Sequence, residues 1–218
     1  MKTVANRMSH FLVMVGLLGM SSVSLAAQEY DNTRWTANVG GGFTVPEYNT
    51  GTRHDNGWNF NAGAGANFLS SHVGLMGEFM YNSLGVNSAT LQTLQFPNGS
   101  TSIWAVSAEP VVRFNPHGQV DFYLVGGPGV YHRNVEFTQP TIAAFSAFDP
   151  FFGIFQVAVP ANQVLLSYST TKLGVNGGGG VSVHLGHSRA KIYAEARYHQ
   201  MYTRTPTAFV PVTFGIRW

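Results

Sequence analysis

The segment from Ala208 to Trp218 constrains this chain more than any other. Val210, Val212, Phe214, Ile216 and Trp218 fall on every second position, with Phe209, Pro211, Thr213, Gly215 and Arg217 between them. A period of two is that of a β-strand, and here it gives one apolar face and one smaller, more polar face. A soluble edge strand reads the same way, so the segments before it must decide between environments.

Seven earlier segments repeat the pattern. Gly57 to Leu69 is the clearest: Trp58, Phe60, Ala62, Ala64, Ala66 and Phe68 share one face, and Asn59, Asn61, Gly63, Gly65 and Asn67 the other. Similar alternation runs through residues 35–44, 73–84, 102–114, 119–132, 164–185 and 190–202. Residues 70–72, 115–118 and 186–189 are tight turns, whereas 46–56, 85–101 and 133–163 read as long loops and 203–207 as a connection of medium length. Short turns at one end and longer loops at the other are the signature of an even-stranded transmembrane barrel. The expected fold is therefore all-β, an eight-stranded antiparallel up-and-down barrel with its apolar face outward. Aromatic residues collect near the strand ends. Trp35, Phe68 and Phe114 mark one rim, while Trp58, Tyr81 and Trp104 mark the other. Two such girdles are expected where lipid meets water.

Composition agrees. Charged residues are 10% of the chain, against roughly 25% in an ordinary soluble domain. The absence of cysteine excludes disulfides, thiolate metal sites and a cysteine nucleophile. The start of the chain is different in kind. Lys2 and Arg7 precede an apolar run, Phe11 to Met20, and Ser24-Leu25-Ala26 supplies the small residues of a cleavage site. This predicts a secretory signal peptide over residues 1–26, removed after Ala26, and a mature barrel domain over 27–218. Its loss removes two of the basic residues and leaves ten basic against ten acidic. No basic patch then argues for nucleic acid.

With these segments in place, the chain resembles the small eight-stranded outer-membrane barrels of the OmpA and OmpX type. The resemblance rests on Gly57 to Phe68, Gly77-Glu78-Phe79-Met80-Tyr81, Gly177-Gly178-Gly179-Gly180-Val181, Glu195-Ala196-Arg197-Tyr198-His199 and Pro211-Val212-Thr213-Phe214-Gly215. It implies the outer membrane of a Gram-negative bacterium, both termini in the periplasm, and contact with lipid and lipopolysaccharide. It also implies that Phe214, Ile216 and the aromatic Trp218 form the signal read by the barrel assembly machinery, with periplasmic chaperones as partners in transit. A structural, adhesive or surface-interaction role is expected. The alternatives are a narrow selective channel, a lipid A-modifying enzyme, or a soluble lipocalin-like carrier. The enzyme would be marked by a His-x-Ser late in the chain, but His199-Gln200-Met201 has no serine. No catalytic residues, cofactor or metal are therefore assigned. The glycine run Gly177 to Gly180 lacks the Lys-Ser/Thr of a phosphate loop.

Two features remain. Glu78, Glu109, Arg113, Asp121, Glu195, Arg197 and Arg217 fall on the inward face, which predicts an internal charge network with Arg197 bridging the glutamates. Gly40, Gly63, Gly65 and Gly178 would leave room for it. The long loop over 133–163 carries Phe137, Phe145, Phe148, Phe151, Phe152 and Phe155 with few charges, and is the expected place for an external ligand.

Overall fold

The computed structural model describes residues 35–68, 71–186 and 188–218. The expected signal peptide, with its cleavage point at Ala26, lies outside the described residues. The strands are β1 (Trp35–Glu47), β2 (Gly57–Phe68), β3 (Val73–Gly85), β4 (Asn98–Arg113), β5 (Val120–Asp149), β6 (Gly153–His184), β7 (Lys191–Met201) and β8 (Thr207–Arg217). They form one closed antiparallel barrel in chain order, as the alternation predicts. The seam runs from Asn38↔Arg217 to Glu47↔Ala208, and Ala37 and Trp218 exchange backbone hydrogen bonds of 2.7 and 2.9 Å beyond it. Closure leaves no edge around the ring, so that outside two short gaps the strands pair their backbone polar groups with one another.

Two ladders lapse on one side of prolines, which lack an N–H. Pairing of β4 with β5 stops at Ser107↔Gly129 and resumes at Val111↔Val125, a gap that contains Pro110 and Pro128. Pairing of β7 with β8 skips from Ala196↔Val212 to His199↔Phe209, across Pro211.

Parity sorts the side chains as the alternation requires. Trp58, Phe60, Leu75, Phe79, Phe122, Leu124, Phe214 and Ile216 face outward and are exposed, whereas Asn59, Asn61, Met76, Met80, Tyr123, Thr213 and Arg217 face inward and are buried. This is the inverse of a soluble lipocalin-like barrel. Rings at both rims also project outward: Trp35, Phe68, Phe114 and Trp218 at the end of the tight turns, Trp58 and Trp104 toward the other end. Tyr81 packs on Trp58 at 5.3 Å between ring centres.

Three expected loops are corrected. The segment over 46–56 contains a one-turn helix, α1 (Tyr48–Gly51), and that over 85–101 contains α2 (Ser88–Leu94). Asn87 caps α2, its side chain accepting from the Thr90 N–H at 2.9 Å. The largest correction concerns 133–163. It is not a loop but the upper part of β5 and β6, paired as far as Asp149↔Gly153. The turn at its tip is short: the Asp149 carboxylate accepts from the N–H groups of Phe151 and Phe152 at 2.7 and 3.1 Å, and Gly153 takes a φ of +75°. The pairing was hidden because the ribbon is largely apolar on both faces, Ser146 opposite Gln156 being a polar exception. Ala143, Phe145 and Ala147 oppose Val159, Val157 and Phe155, and Ile142, Ala144 and Phe148 oppose Pro160, Ala158 and Ile154. Without a polar face, the period of two leaves no contrast to read.

Candidate functional site

Strand parity delivers long polar side chains from opposite walls into one narrow lumen. At mid-height the Arg197 guanidinium faces three carboxylates. Its Nη1 donates to Glu109 at 2.6 Å, its Nη2 to Glu78 and its Nε to Glu195. Glu78 also accepts from the side-chain amides of Asn38 and Asn61, both at 3.2 Å. Glu109 accepts from the Ser107 hydroxyl at 2.6 Å and the Asn176 amide at 3.0 Å. Arg217 approaches the second oxygen of Glu195 at 3.7 Å. Its guanidinium carbon lies 4.4 Å from the ring centre of Tyr123 and 5.0 Å from that of Tyr193. A planar fork of five N–H donors suits this position, since one ammonium has neither the reach nor the geometry to meet three walls.

The sequence-derived charge list thus divides. Glu78, Glu109, Glu195 and Arg197 meet directly, with Arg217 beside them. Arg113 and Asp121 are buried nearer the tight-turn end, where Asp121 accepts from the Asn115 backbone N–H at 3.1 Å. Among the described residues no ion pair joins these two to Arg197. Glycines make room, though not only those expected. A Cβ on Gly40 would lie 2.4 Å from the Tyr193 hydroxyl, and one on Gly180 would lie 2.5 Å from that of Tyr123. At Gly65 and Gly178 the close neighbour is instead the backbone of the next strand.

Apolar layers sit on both sides of the charges. Met76, Val111, Tyr123 and Val125 cluster toward the tight turns. Leu84, Ile103, Ala105, Tyr131, Met201 and Phe209 cluster toward the long connections. His199 packs against the second cluster, stacked on Phe209 at 5.2 Å with Nδ1 3.0 Å from the Tyr131 hydroxyl. Side chains therefore fill the lumen from wall to wall, as eight strands allow.

Beyond the second cluster the barrel opens into a cup of about 890 Å³. Arg53, Arg133, Lys172 and Arg204 line it, with α2, the base of the β5–β6 hairpin and a set of threonines forming its wall. Sequence reasoning had not grouped these four cations. Lys172 and Arg133 come from strands, but Arg53 and Arg204 come from connections, which carry no periodicity. His54 lies at the rim, bonded to the Thr101 hydroxyl at 2.9 Å and the Thr50 carbonyl at 3.1 Å. Burial, followed by the charges of Arg133 and Arg53, holds its pKa below the ordinary 6.5.

With this geometry established, the kinship of the chain is clear. Residues 15–211 match the outer membrane protein beta-barrel domain, and the chain belongs to that family. It is an integral outer-membrane β-barrel protein of the Gram-negative type. Among solved structures it is similar to Neisserial surface protein A, with a TM-score of 0.54 at 13% identity over 85% of this chain and 96% of that one. It is also similar to a major outer membrane protein from Thermus thermophilus, with a TM-score of 0.51 at 8% identity over 84% of this chain and 98% of that one. Ail, the attachment invasion locus protein of Yersinia pestis, gives a TM-score of 0.47 at 16% identity over 84% and 97%. At these identities the likeness concerns the fold. No curated protein matches the chain.

Proposed function

We propose that this protein is a non-catalytic surface-interaction barrel whose lumen is sealed by the Arg197 cluster and whose β5–β6 hairpin contacts an external partner. In this reading residues 1–26 are removed on export, both termini lie in the periplasm, and lipid and lipopolysaccharide surround the outer wall. Trp218, with Phe214 and Ile216, is presented to the assembly machinery.

The observation that carries the interaction role is the hairpin. From Gln139↔Gln163 to its tip it pairs only with itself, and it exposes Ile142, Phe145, Phe148, Phe151, Phe152 and Ile154. Asp149 is the one charge between Glu136 and Lys172. A ribbon largely apolar on both faces gains from being covered, at roughly 25 cal/mol per Å². Its partner is an apolar protein surface, on another protein or on a second copy. The enzyme reading is disfavoured by position, because His199 lies inside the barrel against Tyr131 and Phe209, beyond the reach of lipid on the outer wall.

The test is to replace residues 143–157 by a two-residue turn. The shortened barrel should keep heat-modifiable gel mobility while cells displaying it lose self-aggregation and adherence. A shortened protein that cannot fold would show the hairpin to be structural, and unchanged adherence would place the contact elsewhere.

A further inference from the structure

We infer that the external cup is a binding site for a short, multiply anionic saccharide, one bearing sulfate or phosphate groups. The cup is distinct from the apolar hairpin tip, and this inference does not depend on the role proposed for the hairpin.

Four of the chain's twelve Lys and Arg residues line this one cavity, and among the described residues no carboxylate does. Neither Asp55, next in the chain to His54, nor Glu136, whose carboxylate accepts from Asn134 at 2.7 Å, is in the lining. The cations come from separate elements. Arg53 follows α1, Arg133 and Lys172 rise from β5 and β6, and Arg204 sits in the connection before β8. They therefore surround the cavity instead of forming one stripe. A concave site lined by one sign of charge concentrates its field inward and favours a counter-charged ligand.

The remaining lining chooses among anions. Asn49, Thr50, Thr90, Thr93, Tyr168 and Thr170 offer amides and hydroxyls around the same space, which match the hydroxyls of a sugar. Guanidinium groups match the oxygens of sulfate and phosphate. Arg133 is set for this. Its Nη1 is held by the Thr207 hydroxyl at 2.9 Å, while its buried Nε has no hydrogen-bond partner. The volume of about 890 Å³ exceeds the need of a lone inorganic anion and suits a few sugar units. The buried apolar cluster around Tyr131 and Phe209 lies deeper in the lumen, which suits a site that holds a ligand more than one that passes it on.

The test uses the full barrel in detergent micelles and isothermal titration calorimetry. Three probes are compared: a sulfated heparin-derived tetrasaccharide, a delipidated phosphorylated lipopolysaccharide core oligosaccharide, and a desulfated tetrasaccharide of the same backbone. Binding is expected for a charged probe and not for the desulfated one, weakening at least tenfold between 50 and 300 mM salt, as screening requires. Which charged probe binds tells a foreign sulfated glycan from the phosphorylated sugars of the outer leaflet. Lys172→Gln with Arg204→Gln, both exposed positions, should weaken binding at least tenfold with unchanged gel mobility. The barrel lacking residues 143–157 should bind as the full protein does, which separates this inference from the hairpin reading. Absence of binding by both charged probes, equal binding of the desulfated sugar, or an affinity unmoved by the double substitution would overturn the assignment.

Discussion

At the scale of single residues, Arg197 holds the middle of the barrel. It satisfies three carboxylates that arrive from β3, β4 and β7, so its removal leaves buried charge without compensation. Breaking a buried pair in this way costs roughly 3–5 kcal/mol. Arg197→Ala should therefore lower the urea midpoint of the folded barrel, and Glu195→Ala should lower it as well. The double variant should lose less than the two losses combined, because each single change already breaks the shared contact. Full additivity in urea titrations followed by tryptophan fluorescence would show that the two do not act together. The four central charges were legible because parity alone places residues 78, 109, 195 and 197 inside. Their neutral partners Asn38, Asn61, Ser107 and Asn176 were not singled out, since amides and hydroxyls on an inward face carry no signal of which carboxylate they meet. His54 gives a second prediction. Its folded pKa lies below the 6.5 of the free side chain, so the unfolded chain takes up the proton first as pH falls. The stabilisation is complete above 6.5 and is lost progressively below it, toward the folded value. The protection of amides in the α1 connection, measured as hydrogen exchange relative to the intrinsic rate at each pH, should fall below about pH 6, and His54→Gln should remove that dependence. A flat profile in the unmodified protein would contradict the burial argument.

At the scale of elements, the strands that span the ring were readable and the parts above it were not. Inside the ring every strand has a wet or polar side and a lipid side, and that contrast writes a period of two into the sequence. The hairpin above the ring has no such contrast, so β5 and β6 were expected to stop near residues 132 and 164, whereas they run to Asp149 and from Gly153. The helix α2 was missed for a related reason. At seven residues it is too short for a clear helical repeat. β8 shows how one element serves two ends. Its outward Phe214 and Ile216, and Trp218 directly after it, are half exposed to the surroundings, while the Trp218 backbone is bonded to Ala37 on β1. Deleting Trp218 should reduce the folded fraction recovered from outer membranes, read as the heat-modifiable band, more than it lowers the urea midpoint of what does fold. Equal recovery would remove the case for an assembly signal in this strand.

At the scale of the whole molecule, the lumen is a stack. Two apolar clusters enclose the ionic layer, and an open cationic cup lies on one side. Buried side chains from facing walls meet across these central layers, so planar-bilayer recordings of the purified barrel should show no large, steady conductance. A wide, stable pore would show that the Arg197 layer does not seal it. The closed ring has a further consequence, and it concerns time. β1 and β8 are far apart along the chain, yet they form adjacent staves. Contacts of such long range are slow to make, because the loop between them must be ordered first. Until the seam zips, the sheet has two bare edges, which hydrocarbon does not tolerate. Closing is therefore a late, concerted event with a high barrier. The same barrier stands in the way of reopening, so the barrel should persist by the slowness of its unfolding as much as by its equilibrium stability.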